Sequence, residues 1–167
     1  MGKIYNDDSF IIKAFSYARK YAPKDCKLIL SDYNEFILEK TNVIYNIAMK
    51  LKKLELIDGI GMESHISDDF PTFEDYKIAF EKFVCTGLEI FITELEILSY
   101  DFDIDKQCNF YKELFELFIE NKDSIGLISL YATNDGYNGN RQCNSLLFDY
   151  YYRPKKVYFC TLDSINN

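Results

Sequence analysis

The sequence has no tryptophan, one histidine and three prolines in 167 residues. A single histidine excludes a multi-histidine metal site. The five cysteines, at 26, 85, 108, 143 and 160, contain no Cys-x-x-Cys pair, so a zinc knuckle is excluded as well. Their scatter does not resemble a disulfide framework, and they read as buried apolar thiols. Because five is odd, at least one is free or paired between chains. Positive charge is also scarce: 19 Lys and Arg against 27 Asp and Glu give a net charge of −8. That balance argues against nucleic acid as a partner, which requires a basic surface to displace counterions. No apolar run is long enough to cross a bilayer, so no membrane partner is expected. Met1 to Asp8 has neither the apolar stretch nor the small-residue cleavage site of a secretory leader. Length sets a further limit, since a closed (β/α)8 barrel takes about 250 residues.

What is present is a globular balance, 48% hydrophobic and 28% charged, with 14 Tyr and 14 Phe. The apolar pattern alternates between helical and strand periods. Phe10, Ile11, Ala14, Phe15 and Ala18 share one face of a helix over 8–21, with Asp7, Asp8 or Ser9 as caps and Pro23 beyond its end. Val43, Ile47, Leu51 and Leu54 mark a helix over 38–54. Thr72, with Asp75 three residues on, starts a helix bearing Tyr76, Ala79, Phe80 and Phe83 and ending at Gly87. Phe110, Leu114, Leu117 and Phe118 mark another over 105–121. Short apolar runs at 27–31, 57–62, 88–93 and 125–131 read as buried strands. A polar loop covers 133–145, and Pro154 marks a helix start within a closing segment over 146–163. Strands separated by helices need right-handed crossovers, which lay them parallel. The expected fold is α/β, four parallel strands with outer helices, forming an open curved sheet.

In such folds the chemistry collects where strands end. The first strand ends in Asp32-Tyr33-Asn34-Glu35, the second in Glu63-Ser64-His65, the third in Glu94-Leu95-Glu96 and the fourth in Tyr131-Ala132-Thr133-Asn134-Asp135. Side chains alternate along a strand, so Glu63 and His65 share a face, as do Glu94 and Glu96. Adjacent strands lie about 4.8 Å apart, which lets His65 reach a carboxylate on its neighbour. Carboxylates clustered beside an imidazole and a phenol are the equipment of glycoside hydrolysis.

Four segments carry a resemblance. Ser31-Asp32-Tyr33-Asn34, Asp58-Gly59-Ile60-Gly61-Met62-Glu63-Ser64-His65, Ile92-Thr93-Glu94-Leu95-Glu96, and Leu146-Leu147-Phe148-Asp149 with Pro154-Lys155 are similar in order and spacing to glycoside hydrolase family 10. That is the family of retaining endo-1,4-β-xylanases on a TIM barrel. The similarity runs from about Asp8 to Lys156 and matches the C-terminal half of the barrel, strands five to eight. The whole chain, 1–167, then reads as a single partial catalytic domain.

The resemblance implies Glu94 as the nucleophile, His65 as the group orienting it, and Glu96 as the support of His65. Glu96 stands where the family has Asp, and its extra methylene would push the carboxylate about 1.5 Å further. Glu63, Tyr33, Asn34 and Tyr131 fall at substrate-binding positions. Glu63 replaces a Gln, which adds a negative charge near Glu94; like charges raise one carboxyl's pKa and would weaken the nucleophile. Ser31 replaces an Asn and Tyr131 a sugar-stacking Trp, while a second Trp is absent from the stretch holding Tyr137 and Asn138. The family's general acid/base, a Glu in an Asn-Glu-Ala context, does not occur in these residues. The implied partner is xylan or a related β-1,4-linked polysaccharide, with no metal and no cofactor. The family is typically secreted. The expectation is a xylanase-derived chain that hydrolyses xylan negligibly alone. The alternative is a carbohydrate-binding pseudo-enzyme, or half of a split barrel that assembles with a complementary half or with itself.

Overall fold

The computed structural model describes residues 8–136 and 144–166. Asp7, Tyr137, Asn138 and Cys143, named above, lie outside the described residues. The elements follow in the order α1 (Ser9–Tyr21), β1 (Ile29–Asp32), α2 (Leu38–Lys53), β2 (Gly59–Met62), β3 (His65–Ser67), α3 (Phe73–Val84), β4 (Glu89–Leu98), α4 (Ile104–Glu120), a short 3-10 turn, β5 (Ile125–Leu130) and α5 (Lys156–Asn166). Every strand pair is parallel. β1 pairs β2, and β2 pairs residues 89–92 of β4. β3 continues along the same partner, against Glu96 to Leu98. β5 bonds β4 on its other edge. The sheet is therefore open, with four strand positions, one of them interrupted between Met62 and His65.

Three features depart from the sequence pattern. The interrupted strand adds β3, and β4 runs five residues past the expected end at Thr93. Both extensions mix polar and apolar residues, His65-Ile66-Ser67 and Glu94 to Leu98; pairing with a neighbour satisfies their backbone and keeps them extended. The closing helix starts at Lys156, because Pro154 is held in a β-bridge with Phe148.

One sheet face is covered by helices. Ile60, Met62, Ile90, Ile92, Leu95 and Ile97 have no accessible surface, and they meet Tyr76, Phe80 and Phe83 of α3 and Tyr111, Leu114 and Phe118 of α4. The capping box forms as read: Thr72 accepts from the Asp75 amide at 3.1 Å, and the Thr72 amide donates to Asp75 at 3.3 Å. α3 ends at Val84, and Gly87 makes the left-handed turn, φ +64°, that leads into β4. α1 has no fully buried residue; Ile11, Ile12 and Phe15 pack against the core, and Arg19 bonds Asp58 at 2.7 Å. No helix among the described residues is long and apolar enough to cross a membrane.

The cysteine reading is corrected. Cys108 of α4 and Cys160 of α5 form a disulfide with Cα atoms 5.7 Å apart, while Cys26 and Cys85 are exposed free thiols. Spacing could not show the bridge, because 52 residues separate cysteines that only helix packing brings together.

Candidate active site

The site is built where β4 slips by one residue. From Gly59↔Glu89 to Met62↔Ile92 the register offset is 30; at His65↔Glu96 it is 31. Against β5 the same stretch shifts between Ile92 and Leu95. The extra residue is a bulge centred on Thr93 and Glu94, a device that re-aims a side chain. Burial follows: Ile90 and Ile92 are buried before it, Leu95 and Ile97 after it, and Thr93 and Glu94 both fall on the open face. A bond from the Glu96 amide to the Ser64 carbonyl, 3.2 Å, ties the bulge to the break in the neighbouring strand.

This arrangement brings His65 between three carboxylates. Its Nδ1 lies 2.8 Å from Glu96 Oε1, and its Nε2 lies 3.2 Å from Glu94 Oε2 and 3.8 Å from Glu63 Oε2. The longer Glu96 side chain therefore still reaches the ring. Glu96 is 7% exposed and Glu94 42%, so the inner carboxylate braces the ring and the outer one faces solvent. With a proton on each nitrogen the imidazole donates to both carboxylates. The hydrogen bond to Glu96, aided by Glu96's charge and by Glu94, raises the His65 pKa above its ordinary value against the opposing pull of burial. Glu63 is raised as well, first by burial and then by the Glu94 charge. Donor atoms of Glu63, His65 and Glu94 lie within 4.8 Å of one another, a set able to hold a metal ion. His65 Nε2 already has Glu94 Oε2 beside it in that set.

Tyr131, just after β5, stands edge-on to the imidazole with centroids 4.9 Å apart. Its amide bonds the Leu95 carbonyl at 3.1 Å, which fixes it beside the bulge. Tyr33 and Asn34 are not joined to the cluster by any hydrogen bond among the described residues. Tyr33 is exposed with Lys40 Nζ 3.5 Å over its ring, and Lys40 also binds Asp32 at 2.9 Å. Asn34 takes a left-handed conformation, φ 52°, that turns the chain after β1. Ser31 Oγ lies 3.3 Å from Thr93 Oγ1 across the open face.

One buried group escaped the sequence reading. Glu35, at the same strand end as Tyr33, has no accessible surface and accepts from the Ser64 amide at 2.9 Å. Its position in the tetrapeptide after β1 was the only available signal, and an acidic residue in a turn ordinarily reads as solvated.

A family model described as "Glycosyl hydrolase family 10" matches residues 3–164. The bifunctional endo-1,4-β-xylanase XylA of Ruminococcus flavefaciens is 48% identical over 156 residues, covering 93% of this chain and 16% of that protein. Among solved structures, the xylanase 10B modules of Clostridium thermocellum, complexed with xylohexaose, superpose with a TM-score of 0.90 at 34% identity, covering 96% of this chain and 33% of that one. The intracellular xylanase of Thermoanaerobacterium saccharolyticum gives 0.86 at 34% identity, with 96% and 51% covered. The chain thus spans about half or less of each of these proteins.

Proposed function

Because the chain belongs to glycosyl hydrolase family 10, we propose that it carries the nucleophile side of a retaining endo-1,4-β-xylanase site. In this reading Glu94 attacks the anomeric carbon of a β-1,4-linked xylan, and the leaving sugar departs as the glycosyl–carboxylate ester forms. His65 orients Glu94, and Glu96 fixes the ring. Glu63 and Tyr131 line the sugar's position, with Tyr33 and Asn34 further along the cleft. The observation that carries this reading is the imidazole held at 2.8 Å and 3.2 Å between an inner and an outer carboxylate. The Cys108–Cys160 disulfide supports an oxidising, extracellular setting.

A retaining site needs a second carboxyl about 5–5.5 Å from the nucleophile, acting as acid. The 167 residues have no Asn-Glu-Ala motif, so we propose that this chain alone cleaves native xylan negligibly. The test follows from the chemistry. A 2-deoxy-2-fluoro-xylobioside with a dinitrophenolate leaving group needs no proton to depart, so a lone nucleophile suffices. Mass spectrometry should find the fluoroglycosyl adduct on Glu94, absent in Glu94→Gln, with no reducing sugar released from xylan. No adduct, with retained affinity for xylan, would favour the carbohydrate-binding alternative; rapid release of sugar from xylan would refute the missing acid.

A further inference from the structure

Glu35 has no accessible surface and no part in the reaction proposed above. Its main-chain carbonyl is pinned by Thr41 Oγ1 at 2.7 Å. Its Oε1 accepts from the Ser64 amide at 2.9 Å and the Ser64 hydroxyl at 3.3 Å, and that hydroxyl lies 2.8 Å from the Tyr76 phenol. Its Oε2 is buried with no hydrogen-bond partner among the described residues. Ser64 is the residue between Glu63 and His65. It adopts φ +60°, a left-handed conformation that is unfavourable for a non-glycine residue and persists only where its surroundings impose it. On the other side of that peptide, the Ser64 carbonyl receives the Glu96 amide.

We propose that Glu35 is a positioning residue for the Glu63–His65–Glu94 cluster: its buried carboxyl holds the Ser64 amide in the strand break, and one proton on that carboxyl changes how the two flanking side chains are presented. A charged carboxylate grips the amide and hydroxyl harder than a neutral acid does, so the break tightens when the proton leaves. The groups facing Glu35 are Ser64 and Glu63 from the strand break and Tyr76 from α3. None of these is a cation, and the Glu63 charge opposes that of Glu35. Burial pushes the Glu35 carboxyl up to about 7, so the switch operates near neutrality.

The inference rests on the reading of Glu94 and His65 as a reacting pair, but its test does not use the reaction. His65 is the chain's one histidine, so its ring signals in an NMR spectrum are unambiguous. In the wild-type chain, the Ser64 amide proton should shift between pH 5.5 and 8.5 with a midpoint near 7, and the His65 ring signals should carry a component with that midpoint. Glu35→Gln keeps an acceptor for the amide and cannot ionise; it should remove that component and leave the ring's own titration. Glu35→Ala removes the acceptor and should displace the ring signals at every pH. A Ser64 amide that stays still in the wild type overturns the proposal, as does one that moves equally in Glu35→Gln. Should neither variant fold, the wild-type amide still decides. Failure of Glu94 labelling with an intact Glu35 step would instead strike the functional reading alone.

Discussion

At the scale of single residues, the ionisable groups of the site pull stability in one direction. Glu35 binds its proton up to about 7 in the fold, against 4.5 for an ordinary glutamic acid. Between those values the folded chain holds more protons than the unfolded one, so stability falls as pH rises. The full effect is on the order of 3 kcal/mol, at about 1.4 kcal/mol per pKa unit. Glu63, also raised, acts in the same sense. His65, raised by Glu96 and Glu94, contributes stability below its unfolded pKa and loses it as pH passes its folded value. Thermal unfolding followed by circular dichroism should therefore give a higher midpoint at pH 5.5 than at pH 8.5, with a smaller difference in Glu35→Gln. An equal or reversed order would contradict the buried, protonated carboxyl. The residues of the cluster were all readable from the sequence, because Glu63, His65, Glu94 and Glu96 sit at alternating positions on strand ends. The role of Glu35 was not, since its burial depends on Tyr76 and Ser64 arriving from other elements.

At the scale of elements, a disulfide and the buried Val157 tie the closing helix to the rest. Cys160 of α5 is bound to Cys108 of α4, with Lys156 to Asp105 as an ion pair between the same helices. A bridge closing a loop with a separation of 52 residues typically contributes about 2–4 kcal/mol by constraining the unfolded chain. Cys160→Ser, or reduction of the wild type, should lower the denaturation midpoint without changing the sheet. An unchanged midpoint under reductant would show that α5 is held by packing alone. The helices were legible from their 3.6-residue periodicity, and α3 from its capping box. The strand break and the β4 bulge were not, because the register between two strands is a property of the pair. Yet that register decides that Glu94 faces the open side next to Glu96's imidazole partner.

At the scale of the whole molecule, the sheet has a bare edge at each end. β1 bonds only β2, and β5 bonds only β4, among the described residues. Leu127 and Leu130 on β5 are 54% and 37% exposed. Exposed parallel edges are templates for pairing. Two copies related by a two-fold axis along the strands can place β5 of each against β1 of the other and close eight strand positions. We expect light scattering to show a concentration-dependent dimer, favoured by added salt because each copy carries a charge of −8. A monomer at every concentration and ionic strength would count against self-assembly and leave a complementary half as the partner to seek.

The sequence by itself determined the α/β alternation, the positions of the helices and the family, because hydrophobic periodicity and four strand-end motifs are local properties of the chain. Its length already stood against a closed barrel, and the open sheet agrees with that limit. Tertiary structure alone decided how deeply each carboxylate beside the imidazole is buried, that Cys108 finds Cys160, and that Glu35 lies buried under the strand break. Each of these depends on residues far apart in sequence meeting through strand register and helix packing, and no local pattern encodes such a meeting.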